Sequence, residues 1–136
     1  MRFVMPQKVQ FKHCDPAGIV FYPRYFEMIN DCVEAFFDEG LGVPFEDLHR
    51  DGGVPTAEIS VTFTAPSRHG DRLELALTCT RLGRSSLGIA VEATCAGERR
   101  FLARSTLVLV DAAGRSTPWP EDLRRRLQLR VQKAAA

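Results

Sequence analysis

His13-Cys14-Asp15-Pro16-Ala17-Gly18-Ile19-Val20-Phe21-Tyr22-Pro23-Arg24-Tyr25-Phe26 decides how this chain folds. Asp15-Pro16-Ala17-Gly18 has the composition of a tight turn. Proline presets φ, glycine accepts positive φ, and aspartate bonds its own downstream backbone. Ile19, Val20 and Phe21 follow, apolar where a solvated loop would be polar. Pro23 then occupies a first helical position, where a missing N–H costs nothing. Two readings of Asp15 stand side by side. Its carboxylate holds the turn, or it faces an apolar wall beside helix-start N–H groups that can stabilise an oxyanion.

Upstream, Phe3 to Lys12 alternates Val9 and Phe11 with Lys8, Gln10 and Lys12, which predicts a strand. Downstream, Pro23 to Glu39 places Phe26, Ile29, Val33, Phe36 and Phe37 at helical spacing, with Gly40 and Gly42 beyond its end. Asn30 lies near the inward face, either bonding a core backbone group or making a polar contact at the bottom of an acyl pocket. Leu41 to Gly53 reads as a connection with one helical turn at Pro44–Leu48.

Four strand-like segments follow: Val54 to Ala65, Asp71 to Leu82, Ser86 to Ala96 and Arg99 to Val110. Turn signals at His69-Gly70-Asp71, Gly83-Arg84-Ser85 and Ala96-Gly97-Glu98 separate them, so neighbours run antiparallel. On the first segment Ala57, Ile59, Val61, Phe63 and Ala65 share one face. Glu121 to Val131 reads as a short terminal helix with Arg124-Arg125-Arg126 on its exposed side. The sum is a single α+β domain over residues 1–136. An antiparallel five-stranded sheet wraps one long helix, with a short C-terminal helix added. One helix cannot cover both edges of that sheet. A homodimer joined edge to edge is expected, assembling further to a homotetramer through the Thr- and Ser-bearing face.

Cys14-Asp15-Pro16-Ala17-Gly18-Ile19-Val20-Phe21-Tyr22-Pro23-Arg24-Tyr25 closely resembles the signature of the 4-hydroxybenzoyl-CoA thioesterase family of hotdog-fold acyl-CoA thioesterases. The likeness runs more weakly through Pro66-Ser67-Arg68-His69-Gly70-Asp71 and Gly83-Arg84-Ser85-Ser86. The resemblance implies Asp15 as catalytic carboxylate and the Tyr22 backbone N–H as the donor that polarises the thioester carbonyl. It also implies an active site at the dimer interface. Asp15 serves either as nucleophile, through a mixed anhydride, or as general base on water. Neither route needs a metal or another cofactor.

Phe21, Tyr25, Phe26 and Phe63 are candidates for a flat acyl pocket suited to an aromatic or short-to-medium acyl group; as a group they are equally consistent with core. In the Gly83–Ser86 turn, Arg84 is the leading candidate for the coenzyme A phosphates, with Ser85 and Ser86 beside it, ahead of Arg81 and Arg68. His13 and Cys14, as strand neighbours, point to opposite faces and make no dyad. His49 and His69 read as surface or turn residues. The alternatives are a non-catalytic acyl-CoA-binding module and a hotdog hydratase, which would want a histidine after Asp15.

The totals agree. The chain has 136 residues, a net charge of +1 and four widely spaced cysteines. The balance of charge offers no attraction for nucleic acid or an anionic membrane. The cysteines form no zinc or disulfide pattern. The start, Met1 to Pro6, is too short for a secretory signal. A cytoplasmic protein with reduced thiols is expected. The only low-complexity tract is Ala134 to Ala136.

Overall fold

The alternation that begins at Phe3 holds only to Lys8. The computed structural model describes residues 2–135, with side chains to residue 131. Met1 and Ala136, the last of the terminal alanines, lie outside the described residues. Strand β1 (Phe3–Lys8) ends because Val9 turns into the core. Its N–H donates to the Asp71 carbonyl, and its carbonyl accepts from the Gly70 N–H, each at 2.8 Å. The strand expected to reach Lys12 therefore gives way to a single 3-10 turn at Phe11–His13. Val9 is fully buried and Phe11 is 81 % exposed, so the two do not share a face.

Helix α1 (Pro23–Ala35) buries Tyr25, Met28, Ile29, Cys32 and Val33. The expected α-helix to Glu39 widens into a π-turn at Phe36–Gly40. The wider turn lets Phe36 and Phe37, adjacent in sequence, both point inward. A one-turn helix, α2 (Phe45–Leu48), follows. Short strand β2 (Gly52–Gly53) precedes β3 (Thr56–Phe63), β4 (Arg72–Leu82), β5 (Ser86–Cys95) and β6 (Glu98–Val108). Strand β7 (Val110–Asp111) pairs with β2, and α3 (Glu121–Ala135) closes the described chain.

The main sheet is antiparallel in the order β1-β4-β5-β6-β3. Its concave face presents Leu73, Leu75, Leu77, Leu87, Ile89, Val91, Phe101 and Ala103 to α1, all buried. This is the hotdog fold. Removing a ring such as Phe37 from that core would cost about 3–5 kcal/mol. Helix α3 packs against β4 and buries Leu123 and Leu127. Arg125 and Arg126 lie on its exposed side as expected and Arg124 is half-buried, and two of the three also bond backbone. Arg124 donates to the Gly83 carbonyl at 3.0 Å and Arg126 to the Leu41 carbonyl at 2.7 Å. Arg130 donates to the Gly40 carbonyl at 2.6 Å while its guanidinium stands 5.6 Å from the Phe36 ring centre. Together Arg126 and Arg130 satisfy carbonyls at the end of the long helix, which a helix cannot satisfy itself.

Strand β3 departs most from expectation. The register shifts between Thr56 and Glu58, so Ala57 sits in a bulge and the expected alternation from Ala57 starts only at Ile59. β3 is an edge strand that α1 meets through Tyr25 on Phe63, and it is left partly open. Ile59 and Phe63, which the pattern assigns to an inner face, remain 36 % and 44 % exposed.

Candidate active site

Residues Cys14 to Val20 form a miniature hairpin. The Gly18 N–H donates to the Asp15 carbonyl at 2.9 Å, and the Asp15 N–H donates to the Ile19 carbonyl at 3.0 Å. Cys14 pairs with Val20, and the Phe21 N–H reaches the His13 carbonyl at 2.9 Å. Gly18 adopts φ +82°, the conformation the turn demands. Asp15 is half-buried. Its Oδ1 accepts the Ala17 N–H at 2.9 Å, as the turn reading requires. Its Oδ2 carries no hydrogen bond among the described residues. One oxygen thus fixes the carboxylate in the turn.

A second loop buttresses this hairpin. The Val20 N–H donates to the Ser67 carbonyl at 2.9 Å, and Ile19 bridges to Arg68. Ser67 is fully buried. Arg100, from β6, donates to the Pro66 carbonyl at 3.0 Å, to Ser67 Oγ at 3.1 Å and to Asp71 Oδ2 at 2.8 Å. The Arg68 N–H, and next the Arg100 guanidinium, hold the Asp71 carboxyl below the usual carboxylate range. The bond to Asp71 raises Arg100 in return. Sequence reading missed Arg100, because nothing local marks a contact across 29 residues.

His13 is buried, not a strand residue pointing to one side. Its Nδ1 accepts the Gln10 N–H at 2.8 Å, and burial lowers its pKa. Cys14 Sγ faces the Gln10 carbonyl at 3.7 Å, so the two make no dyad, though for a different reason than strand alternation.

Tyr22 caps α1 with helical φ and ψ. The Arg24 N–H donates to the Phe21 carbonyl, the Tyr25 N–H donates to the Tyr22 carbonyl, and Pro23 has no N–H. Among the described residues no acceptor meets the Tyr22 N–H, which lies at the positive end of the helix dipole. The Tyr22 ring is exposed and stands edge-on to Phe21 and Phe63. Tyr25 is buried against Phe63 and Phe101. A cavity of about 580 Å³ opens here, lined by Ile19, Val20, Tyr22, Tyr25, Phe63 and Pro66. The apolar wall expected around Asp15 is incomplete in one chain. Val20 is buried and Ile19 half-buried, but Phe21 is exposed, and Asp15 itself does not line the cavity.

Phe26 and Asn30 line a larger neighbouring cavity of about 860 Å³. Asn30 is exposed at its wall and not held in the core. His49, read as a surface or turn residue, is exposed in a turn and lines the same cavity.

Arg84, Ser85 and Ser86 are not brought to Asp15 within one chain. They form the far turn between β4 and β5, about 35 Å of strand from Asp71. The Trp119 N–H donates to the Arg84 carbonyl, Trp119 Nε1 to the Ser86 carbonyl, and the Leu109 N–H to the Ser85 carbonyl. The Arg84 side chain is exposed. Among the described residues no cluster of three or more His, Cys, Asp or Glu could hold a metal, and no helix is long and apolar enough to cross a membrane.

A family model described as the thioesterase-like superfamily matches residues 9–127. The chain is 25 % identical over 125 residues to a 1,4-dihydroxy-2-naphthoyl-CoA hydrolase from Synechococcus elongatus, covering 89 % of this chain and 91 % of that protein. It is 28 % identical over 120 residues to the protein of the same name from Nostoc punctiforme, covering 85 % and 79 %. Among solved structures, a gentisyl-coenzyme A thioesterase superposes with a TM-score of 0.85 at 25 % identity, over 92 % of this chain and 99 % of that one.

Proposed function

The chain belongs to the thioesterase-like superfamily, and from that membership we propose that it hydrolyses the thioester of an aromatic or short-to-medium acyl-CoA to free acid and coenzyme A. The observation that carries the reading is the Tyr22 N–H, unpaired at the start of α1, two residues beyond the short hairpin that fixes Asp15 by one oxygen. The thioester carbonyl oxygen binds the Tyr22 N–H. Asp15 Oδ2 then attacks the carbonyl carbon, the C–S bond breaks, and water cleaves the resulting anhydride. In the second route Asp15 takes a proton from water, which attacks directly. Both end in carboxylate and thiol. The hydroxynaphthoyl-CoA and gentisyl-CoA relatives support an aromatic acyl group.

The exposed Ile59 and Phe63 on an edge strand support a homodimer joined through β3. An antiparallel join sets the second copy's sheet end for end. Its Arg84 turn, with Ser85 and Ser86, then comes to the Asp15 end of the first, where it meets the coenzyme A phosphates. The same join completes the apolar wall around Phe21 and Tyr22. A further contact across the sheet face away from α1 makes the tetramer. The four free cysteines support a cytoplasmic setting.

The test is Asp15→Asn, assayed for thiol release with benzoyl-, hydroxybenzoyl-, phenylacetyl- and straight-chain CoA esters. Turnover should fall by at least about a hundredfold while the melting curve is retained. Hydrolysis at the parent rate would remove Asp15 from the mechanism.

A further inference from the structure

The turn between β4 and β5 does not hold its own shape. Leu82 pairs with Leu87 and the Gly83 N–H reaches the Ser86 carbonyl at 2.9 Å, which leaves Arg84 and Ser85 as a two-residue tip. A tip of that length ordinarily takes a residue of positive φ, which matches the twist of the strands it joins. Neither Arg84 nor Ser85 has one. The Gly83 carbonyl, which would close such a tip by taking the Ser86 N–H, takes Arg124 Nη1 at 3.0 Å.

The shape is imposed from outside. The Trp119 N–H donates to the Arg84 carbonyl at 3.1 Å, and Trp119 Nε1 donates to the Ser86 carbonyl at 3.1 Å. The Leu109 N–H donates to the Ser85 carbonyl at 2.8 Å. With the Arg124 bond, every carbonyl from Gly83 to Ser86 is taken, three of them by Trp119 and Arg124. Those two residues are themselves well fixed. Pro118 and Pro120 flank Trp119, so its backbone has little freedom. The Thr117 N–H fastens the segment to the Leu109 carbonyl at 3.0 Å. Trp119 is buried, and Arg124 sits on α3 beside buried Leu123. Among the described residues the Arg84 and Ser85 N–H groups meet no acceptor, and the Arg84 side chain is exposed. Adjacent free amides beside a guanidinium favour an anion.

Given the reading above that this turn meets the coenzyme A phosphates, we propose that Trp119 and Arg124 are positioning residues for the phosphate end of the substrate. They touch no part of it. They hold the carbonyls of Gly83, Arg84 and Ser86, and so keep the free amides and the Arg84 guanidinium ready for phosphate oxygens. The ordering of the turn is then met on folding and not on binding. In the dimer proposed above, the C-terminal helix of each copy thereby governs how tightly the other copy's substrate is held.

The experiment is a calorimetric titration with coenzyme A, and with pantetheine, which lacks the phosphates. The proteins are the parent, Arg84→Ala, Trp119→Phe, Arg124→Met and Arg124→Lys, each checked by thermal melting. Arg84→Ala should weaken coenzyme A about tenfold or more, as for a hydrogen bond to a charged group. Trp119→Phe keeps an aromatic ring and removes the Nε1 donor. It and Arg124→Met should each weaken coenzyme A about fivefold and leave pantetheine unchanged. Arg124→Lys, which keeps a donor for the Gly83 carbonyl, should recover part of that loss. Coenzyme A held as tightly by folded Trp119→Phe and Arg124→Met as by the parent, with Arg84→Ala weakened, would overturn the positioning role and leave the phosphate reading standing. An equal loss on pantetheine would also overturn it, as general damage. Parent-like affinity in Arg84→Ala would sink the phosphate reading and the proposal with it. None of these outcomes bears on Asp15, because no thioester is cleaved.

Discussion

Arg100 Nη1 lies 2.8 Å from Asp71 Oδ2, and this pair joins β6 to the loop that holds the Asp15 hairpin. The Arg100 side chain is only 12 % exposed and also donates to Pro66 and Ser67. Arg100→Met removes all three bonds and leaves the Asp71 carboxylate with the Arg68 N–H. The variant should lose about 2 kcal/mol of stability, in the range for hydrogen bonds to charged groups. Denaturant melts would show it as a lower midpoint at unchanged slope. Asp71 adds a pH dependence. Its folded carboxyl is held below its unfolded value, so its contribution is present above the unfolded pKa of about 3.9 and is lost as pH falls through the folded one. Asp71→Asn should therefore flatten the acid limb of the stability curve below about pH 4.

His13 titrates in a different window. Burial lowers its pKa, and its Nδ1 lone pair is committed to the Gln10 N–H. A depressed histidine gives stability above the unfolded value of about 6.5, lost as pH falls through the folded pKa. Melting temperature should drop as pH is lowered from 7 toward 5. His13→Asn, which cannot titrate, should show a flatter profile over that range.

Tyr22 separates backbone from side chain. If the N–H polarises the carbonyl, Tyr22→Phe should keep its turnover within about threefold. Tyr22→Pro should lose about a hundredfold or more, as when an oxyanion donor is removed. The native φ of −52° at this residue accommodates proline, so the second variant should fold. Equal losses in both would point to the hydroxyl and not the amide.

The thiols should divide into two classes. Burial pushes the Cys32 and Cys79 thiols up to about 12. Cys14 and Cys95 are half-buried. A disulfide reagent near pH 8 should modify no more than two thiols in the native protein and four after denaturation. Fast native modification of all four would contradict the packing of α1 on β4.

The end of the long helix depends on α3. Arg130→Ala removes a donor from the Gly40 carbonyl and a cation from the Phe36 ring. The expected loss is about 1–2 kcal/mol, read from the melting midpoint. Arg125→Ala, at a position bonded only to exposed Asp122, should change little and serves as the control.

Much of this arrangement was legible in the chain itself. The turn at Asp15–Gly18, the proline start of α1 and the two-residue period of β4 and β5 are local patterns, and each formed where it was expected. What failed was non-local. Val9 and Phe11 look alike in a period-two pattern, yet a backbone bond to Asp71 turns one inward and leaves the other in solvent. The π-turn at Phe36 follows from two rings competing for one core. The bulge at Ala57 leaves no mark in the alternation of its neighbours. The positioning role of Arg100 and the cavity position of His49 come from contacts that only the folded chain creates. Arg84 is an exposed turn arginine, and its distance from Asp15 is set by strand length and not by sequence spacing.

The exposed edge at β3 carries a consequence for handling the protein. If the proposed homodimer joins through this strand, the molecule has no single melting temperature, only one for each dilution. Working stocks kept at nanomolar levels would lose their weakest strand while the helices still report a folded chain by circular dichroism. Activity lost on dilution and regained on concentration would then be a property of the fold and not a sign of damage.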